Sequence, residues 1–60
     1  MDFPELLSIK EAADVLGVDQ RSVRRLIEER KIPYYLVTDT VKRIARADLL
    51  AYLEQRRRAA

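Results

Sequence analysis

The chain has 60 residues, with 12 Lys and Arg against 10 Asp and Glu, and contains neither cysteine nor histidine. This length is read as one small domain over residues 1–60, with a core close to the minimum for independent folding. The composition leaves out disulfides and the His/Cys metal-site spacings, and no apolar run reaches the roughly 18 residues of a membrane span. No cofactor, metal, small-molecule ligand or membrane is therefore expected. The segment MDFPELLS opens with acids and has no basic n-region, so no signal peptide is expected and a reducing cytoplasm is the expected compartment.

The formal net charge of +2 is unevenly distributed. Residues 1–20 carry one lysine against five acids, whereas residues 21–46 carry eight bases against three acids. Segregation of this kind marks a basic face suited to phosphate.

Taken in chain order, Ser8 and Glu11 have the spacing of a capping box, and Leu7 and Ala12 that of a hydrophobic staple. Ile9, Ala12, Ala13 and Leu16 then recur at helical spacing, predicting a helix over 9–16. Gly17 stands where a helix closes in the left-handed conformation, with Val18 expected to pack back on the preceding turn. Asp19 is a second cap, and Val23, Leu26 and Ile27 form the apolar stripe of a second helix over 20–29 that is closed off ahead of Pro33. Two short helices joined by a three-residue turn containing glycine are the helix-turn-helix pattern. The stretches YYLV (34–37) and VKRI (41–44) favour strands, with a hairpin turn at Thr38, Asp39 and Thr40. A lone hairpin is marginal in water and needs a helix to lean on. Residues 46–57 supply one, with Leu49, Tyr52 and Leu53 as its apolar stripe and Asp48 in its first turn. The expected fold is mainly α with a β-hairpin wing: a winged helix-turn-helix of order helix, helix, hairpin, helix.

The second helix has an unusual charge order. Arg21, Arg24 and Arg25 come early and Glu28 and Glu29 late, the reverse of what the helix macrodipole favours. On a helical wheel Arg21 and Arg25 lie opposite the apolar stripe, Arg24 and Gln20 flank one side and Ser22 the other. The N-terminal turns of such a helix enter a major groove. There arginine bonds guanine and Gln20 adenine, at about 1–3 kcal/mol of discrimination per good pair. Ser22 and the free first-turn N–H groups suit a phosphate. The competing reading makes Arg24–Glu28 and Arg25–Glu29 ordinary surface pairs of about 0.2–0.5 kcal/mol each. Arg21 has no acid at either helical spacing, so Arg21 and Arg25 rank first for nucleic-acid contact, ahead of Arg24, Gln20 and Ser22.

For Lys42 and Arg43 two readings stay open: entry into a minor groove, or charge protection of a strand edge. Arg46 suits a backbone phosphate or plain solvation. The run Arg56–Arg58 suits a helix C-terminus, with a partner or phosphate contact as the alternative. The serines are explained by capping, and no acid–base pair is committed to a cleft, so no enzymatic activity is expected.

The pattern Leu7-Ser8, Glu11-Ala12-Ala13, Leu16-Gly17-Val18, Ser22-Val23, Arg25-Leu26-Ile27, Ile32-Pro33, Asp48-Leu49 and Tyr52-Leu53 resembles the excisionase and MerR-type winged helix-turn-helix family. The resemblance covers residues 6–54. Two departures stand out: Arg30 occupies a position where such domains carry glycine, and the wing turn lacks glycine, is about one residue longer and bears Asp39. An acid at the wing tip would repel DNA phosphate, which leaves Lys42 and Arg43 as the wing's DNA candidates. The resemblance implies a double-stranded DNA partner in a bacterial or phage-infected cell. Among family roles it points first to an excisionase, which binds and bends attachment-site DNA through cooperative copies on adjacent sites and aids an integrase in excision. The alternatives are a small MerR-like transcriptional regulator and, from another class, a protein-interaction module docking through Tyr34, Tyr35 and Leu36.

Overall fold

A computed structural model describes residues 3–59 of the chain. The elements are β1 (Leu6–Leu7), α1 (Ile9–Leu16), α2 (Gln20–Glu28), β2 (Tyr35–Leu36), β3 (Lys42–Ala45) and α3 (Arg46–Arg56). They form the expected winged helix-turn-helix, with one strand that the sequence pattern did not signal.

Local chemistry accounts for the helix boundaries. The Ser8 hydroxyl accepts from the Glu11 N–H at 3.0 Å, and the Glu11 carboxylate accepts from the Ser8 N–H at 3.0 Å. Both halves of the capping box are therefore made. Gly17 closes α1 at φ 69°, with the Val18 N–H reaching the Ala13 carbonyl and the Gly17 N–H reaching that of Asp14. This pair of bonds is a Schellman closure. Asp19 then caps α2, its carboxylate accepting from the Ser22 N–H at 2.8 Å.

α2 ends in a second closure of the same kind. The Arg30 N–H reaches the Ile27 carbonyl at 3.1 Å and the Lys31 N–H that of Leu26 at 2.9 Å. The left-handed position is filled by Arg30 at φ 57°. The helix stops at Glu28, one residue short of the sequence expectation, because Glu29 already leaves helical geometry at ψ 4°.

The sheet is antiparallel, in the order β1-β3-β2. β1 pairs Leu6 with Ala45 and Leu7 with Ile44, and the Arg46 N–H donates to the Glu5 carbonyl at 2.9 Å. That last bond serves the first turn of α3, where Ala45 offers no side-chain cap. The hairpin pairs Tyr35 with Arg43 and Leu36 with Lys42. It is shorter on the first strand than the pattern suggested and runs one residue further on the second, to Ala45, because β1 pairs there from the other side.

Leu7, Ala12, Ala13, Val23, Ile27, Ile32, Ile44 and Leu49 form the core, with Ile9, Leu16, Leu26 and Tyr52 packed against it. Leu53, expected in the stripe of α3, is exposed, as are Leu50 and Val18. α3 turns Leu49 toward β3, and among the described residues nothing covers its far side.

A non-glycine residue in the left-handed region carries about 1–2 kcal/mol of steric cost, while glycine gives back part of the gain through unfolded-state freedom. Arg30→Gly is expected to stabilise the domain by about 0.5–1 kcal/mol and raise its Tm by several degrees, read by thermal unfolding. An unchanged or lowered Tm would mean that the Arg30 side chain contributes more to the fold than its backbone costs.

Candidate nucleic-acid interface

α2 lies with Val23 and Ile27 buried and Leu26 half-buried, so Gln20, Arg21, Arg24, Arg25 and Glu28 project to solvent. The apolar stripe alone dictates this, since burying three aliphatic side chains fixes the helix's rotation about its axis. The two flanks of the helix then meet different neighbours. Arg24 lines a groove with Lys42, Arg43 and Thr40 between α2 and the wing. Arg25 lies on the opposite flank, alongside Ser22, Leu26, Tyr52 and Leu53. The structure thus brings Arg24 together with the wing cations and sets Arg25 apart from them, an arrangement the helical wheel could not give.

The partners of these side chains also differ from expectation. Arg24 leans on Gln20, its guanidinium 3.5 Å from the Gln20 side-chain oxygen, rather than on Glu28. Glu29 pairs with Lys31 at 3.2 Å rather than with Arg25. The proposed Arg24–Glu28 and Arg25–Glu29 tethers are absent among the described residues, where ion pairs form only at Lys31–Glu29 and Arg46–Glu5. Both donors of Ser22 are already used, its N–H at 2.8 Å and its hydroxyl at 2.7 Å from the same Asp19 oxygen. In this geometry Ser22 holds the cap and has no donor left for a phosphate.

Asp19, the cap of α2, also lies close enough to feel the charge of the early arginines. Its carboxyl is held below its ordinary value, first by the Ser22 hydroxyl, then by the Ser22 N–H, with Arg21 and Arg25 adding favourable charge. The early arginines therefore have a negative neighbour one step before the helix. Their placement costs less than a tally within the helix suggests. Glu11 is likewise lowered, first by the Ser8 N–H and then by its hydroxyl, with the charge of Arg43 adding to these.

The wing is organised by Thr38. Its hydroxyl accepts from the N–H groups of Thr40 and Val41 at 3.4 and 3.2 Å, and the Val37 N–H reaches the Val41 carbonyl at 2.9 Å. A side-chain oxygen thus shapes the turn that glycine makes in similar domains. Lys42 is half-buried with its ammonium 5.5 Å from the centre of the Tyr34 ring, and Arg43 turns back to donate to the Lys42 carbonyl at 2.9 Å. Arg46 sits 3.8 Å from the Glu5 carboxylate, with both side chains well exposed. Such a pair is weak and opens readily to another anion. In the tail, Arg56 lies over the Tyr52 ring at 6.0 Å and Arg58 donates to the carbonyls of Gln55 and Arg57, the helix-terminus use read from the sequence.

Residues 6–57 match the family described as a helix-turn-helix domain. The chain belongs to the helix-turn-helix domain family. It is a DNA-binding helix-turn-helix domain with a wing, and α2 is its second helix. Among curated proteins this helix-turn-helix chain is 44% identical, over 50 residues, to the transcriptional repressor DcmR of Methylorubrum extorquens (strain DSM 6343 / CIP 106787 / DM4). That alignment covers 82% of the chain and 19% of the repressor, so the chain spans about a fifth of that relative's length. No solved structure matches the chain. Among the described residues no helix is long and apolar enough to cross a membrane, and no group of three or more His, Cys, Asp or Glu is arranged to hold a metal.

Because the Asp19 and Glu11 carboxyls are lowered by folding, their stabilising effect is fully present above their ordinary values and is lost as pH falls through the folded values. Urea unfolding between about pH 5 and pH 2 is expected to show falling stability. Asp19→Asn keeps a capping oxygen without the titration, so its stability should vary less over that range. An equal pH slope in the variant would assign the effect to other carboxyls.

Proposed function

We propose that the domain binds double-stranded DNA sequence-specifically as part of a transcriptional regulator, reading a major groove with the first turns of α2 and following the backbone with the wing. The observation that carries this reading is the exposed cationic face of α2, Arg21, Arg24 and Arg25, contiguous on the Arg24 side with Lys42 and Arg43 of the wing. Arg21, Arg24 and Arg25 are base-reading candidates, with Gln20 beside Arg24. Lys42, Arg43 and Arg46 are phosphate-positioning candidates, and Ser22 acts through the Asp19 cap. No step of this function is catalytic. The likeness to a transcriptional repressor favours regulation.

An excisionase role, with an integrase as partner, rests on the family resemblance of the sequence motifs and uses the same DNA face. The two roles differ in where the binding sites lie. Sites at promoters favour the regulator. Sites clustered at a recombination junction, with stimulation of excision by an integrase in vitro, favour the excisionase. A single module buries only about 600–1,000 Å² of protein surface on DNA, so either role calls for cooperative copies or a partner protein.

Arg21→Ala and Arg25→Ala are each expected to weaken specific binding by roughly 5- to 150-fold, the equivalent of about 1–3 kcal/mol, while leaving the thermal unfolding transition in place. Fluorescence anisotropy on a selected site measures this. Wild-type affinity in both variants would remove that face of α2 from the interface. Binding is also expected to fall steeply with salt, at about 0.9 log units per decade for each neutralised phosphate, over some five or six phosphates. A flat salt response would favour a protein-docking role for the exposed Tyr34, Tyr35 and Leu36.

A further inference from the structure

We propose that Arg30 contacts a DNA backbone phosphate beside the wing, extending the DNA-facing surface to the C-terminal end of α2. This assignment rests on the DNA-binding reading above. It begins from the backbone. Arg30 holds φ 57° at the closing position of α2, a conformation that costs an L-residue with a long side chain and that glycine adopts freely. The hydrogen bonds of the closure are backbone bonds from the Arg30 and Lys31 N–H groups, which glycine would form equally well. The fold therefore gives no reason for arginine here, and strain kept at an exposed position points to a use for the side chain.

The surroundings of Arg30 point to an anion. Among the described residues no carboxylate lies within 4 Å of its guanidinium, while neighbouring Lys31 is taken by Glu29. Arg30 lines a groove with Glu28, Pro33, Tyr34 and Lys42, whose ammonium lies 5.5 Å from the centre of the Tyr34 ring. This groove shares Ile27, Glu28 and Lys42 with the one that contains Arg24 and Arg43. The two form a continuous strip from the middle of α2 to the chain beyond its end. Glu28 and Lys42 both lie in the shared middle, where the lysine offsets the acid, and Arg30 adds a cation that belongs to the first groove alone. A guanidinium matches a phosphate in geometry and stays charged throughout the accessible pH range. A backbone phosphate carries no sequence information, so the contact adds affinity uniformly over DNA sequences.

The test compares Arg30→Gly and Arg30→Lys with the wild-type chain, reading duplex-DNA affinity across a salt series together with the thermal unfolding midpoint. Arg30→Gly is expected to raise the midpoint and yet weaken binding to specific and unrelated duplexes alike. The plot of log affinity against log salt should become shallower by about 0.9, a loss of roughly eightfold at 0.1 M salt relative to 1 M. Arg30→Lys keeps the charge and should keep the salt slope. A fold-only role for Arg30 would change the midpoint but not the slope. An unchanged slope in Arg30→Gly, with Arg21→Ala still impaired, would overturn the Arg30 contact and leave the DNA reading intact. Equal loss of slope in Arg30→Lys and Arg30→Gly would also overturn it. Absence of salt-dependent duplex binding by the wild-type chain would overturn both readings together.

Discussion

The arrangement of this domain depends on β3 being paired on both sides. Lys42 and Arg43 take the wing strand, while Ile44 and Ala45 take Leu7 and Leu6. Ile44 is completely buried, and α3 starts at the very next residue after the strand. One four-residue strand therefore ties together the N-terminal segment, the wing and the last helix. A core of so few side chains leaves little stability in reserve. Loss of that strand would separate the wing from α2, and the groove that gathers Arg24, Lys42 and Arg43 would cease to exist.

Around this centre the domain handles charge by local means. Cations of α2, the wing and α3 have an anionic, polar or aromatic neighbour. Asp19 sits beside Arg21 and Arg25, Gln20 beside Arg24, Tyr34 under Lys42, and Glu5 beside Arg46. Most of these contacts are exposed and individually weak. They hold cations in place without neutralising them deeply, so exchange for another anion requires little desolvation. Arg30 lacks a partner of this kind among the described residues and accepts a strained backbone.

Much of this was legible in the sequence because it is local. Ser8 with Glu11, Gly17, and Asp19 three residues before Ser22 encode their own hydrogen bonds over a few residues, so α1, the turn and the start of α2 fall where expected. The departure at Arg30 was visible as a missing glycine, and the structure gives its physical content in a positive φ. The strand β1 was not legible. Two leucines have no periodicity, and their pairing partners lie nearly forty residues away. Leu53 was misjudged because helical spacing identifies a stripe but not how much of it another element will cover.

The sequence by itself determined the helices, their caps, the winged helix-turn-helix order and the cationic face of α2, since these follow from spacings of four residues or fewer. Only the tertiary structure decided that Arg24 faces the wing and Arg25 the α3 side. It likewise decided that Arg30 joins the Lys42 groove. The reason is geometric. A helical pattern fixes which residues share a face, whereas the side that faces the wing is set by how Val23 and Ile27 seat against Ile44 and the rest of a core drawn from every element but β2.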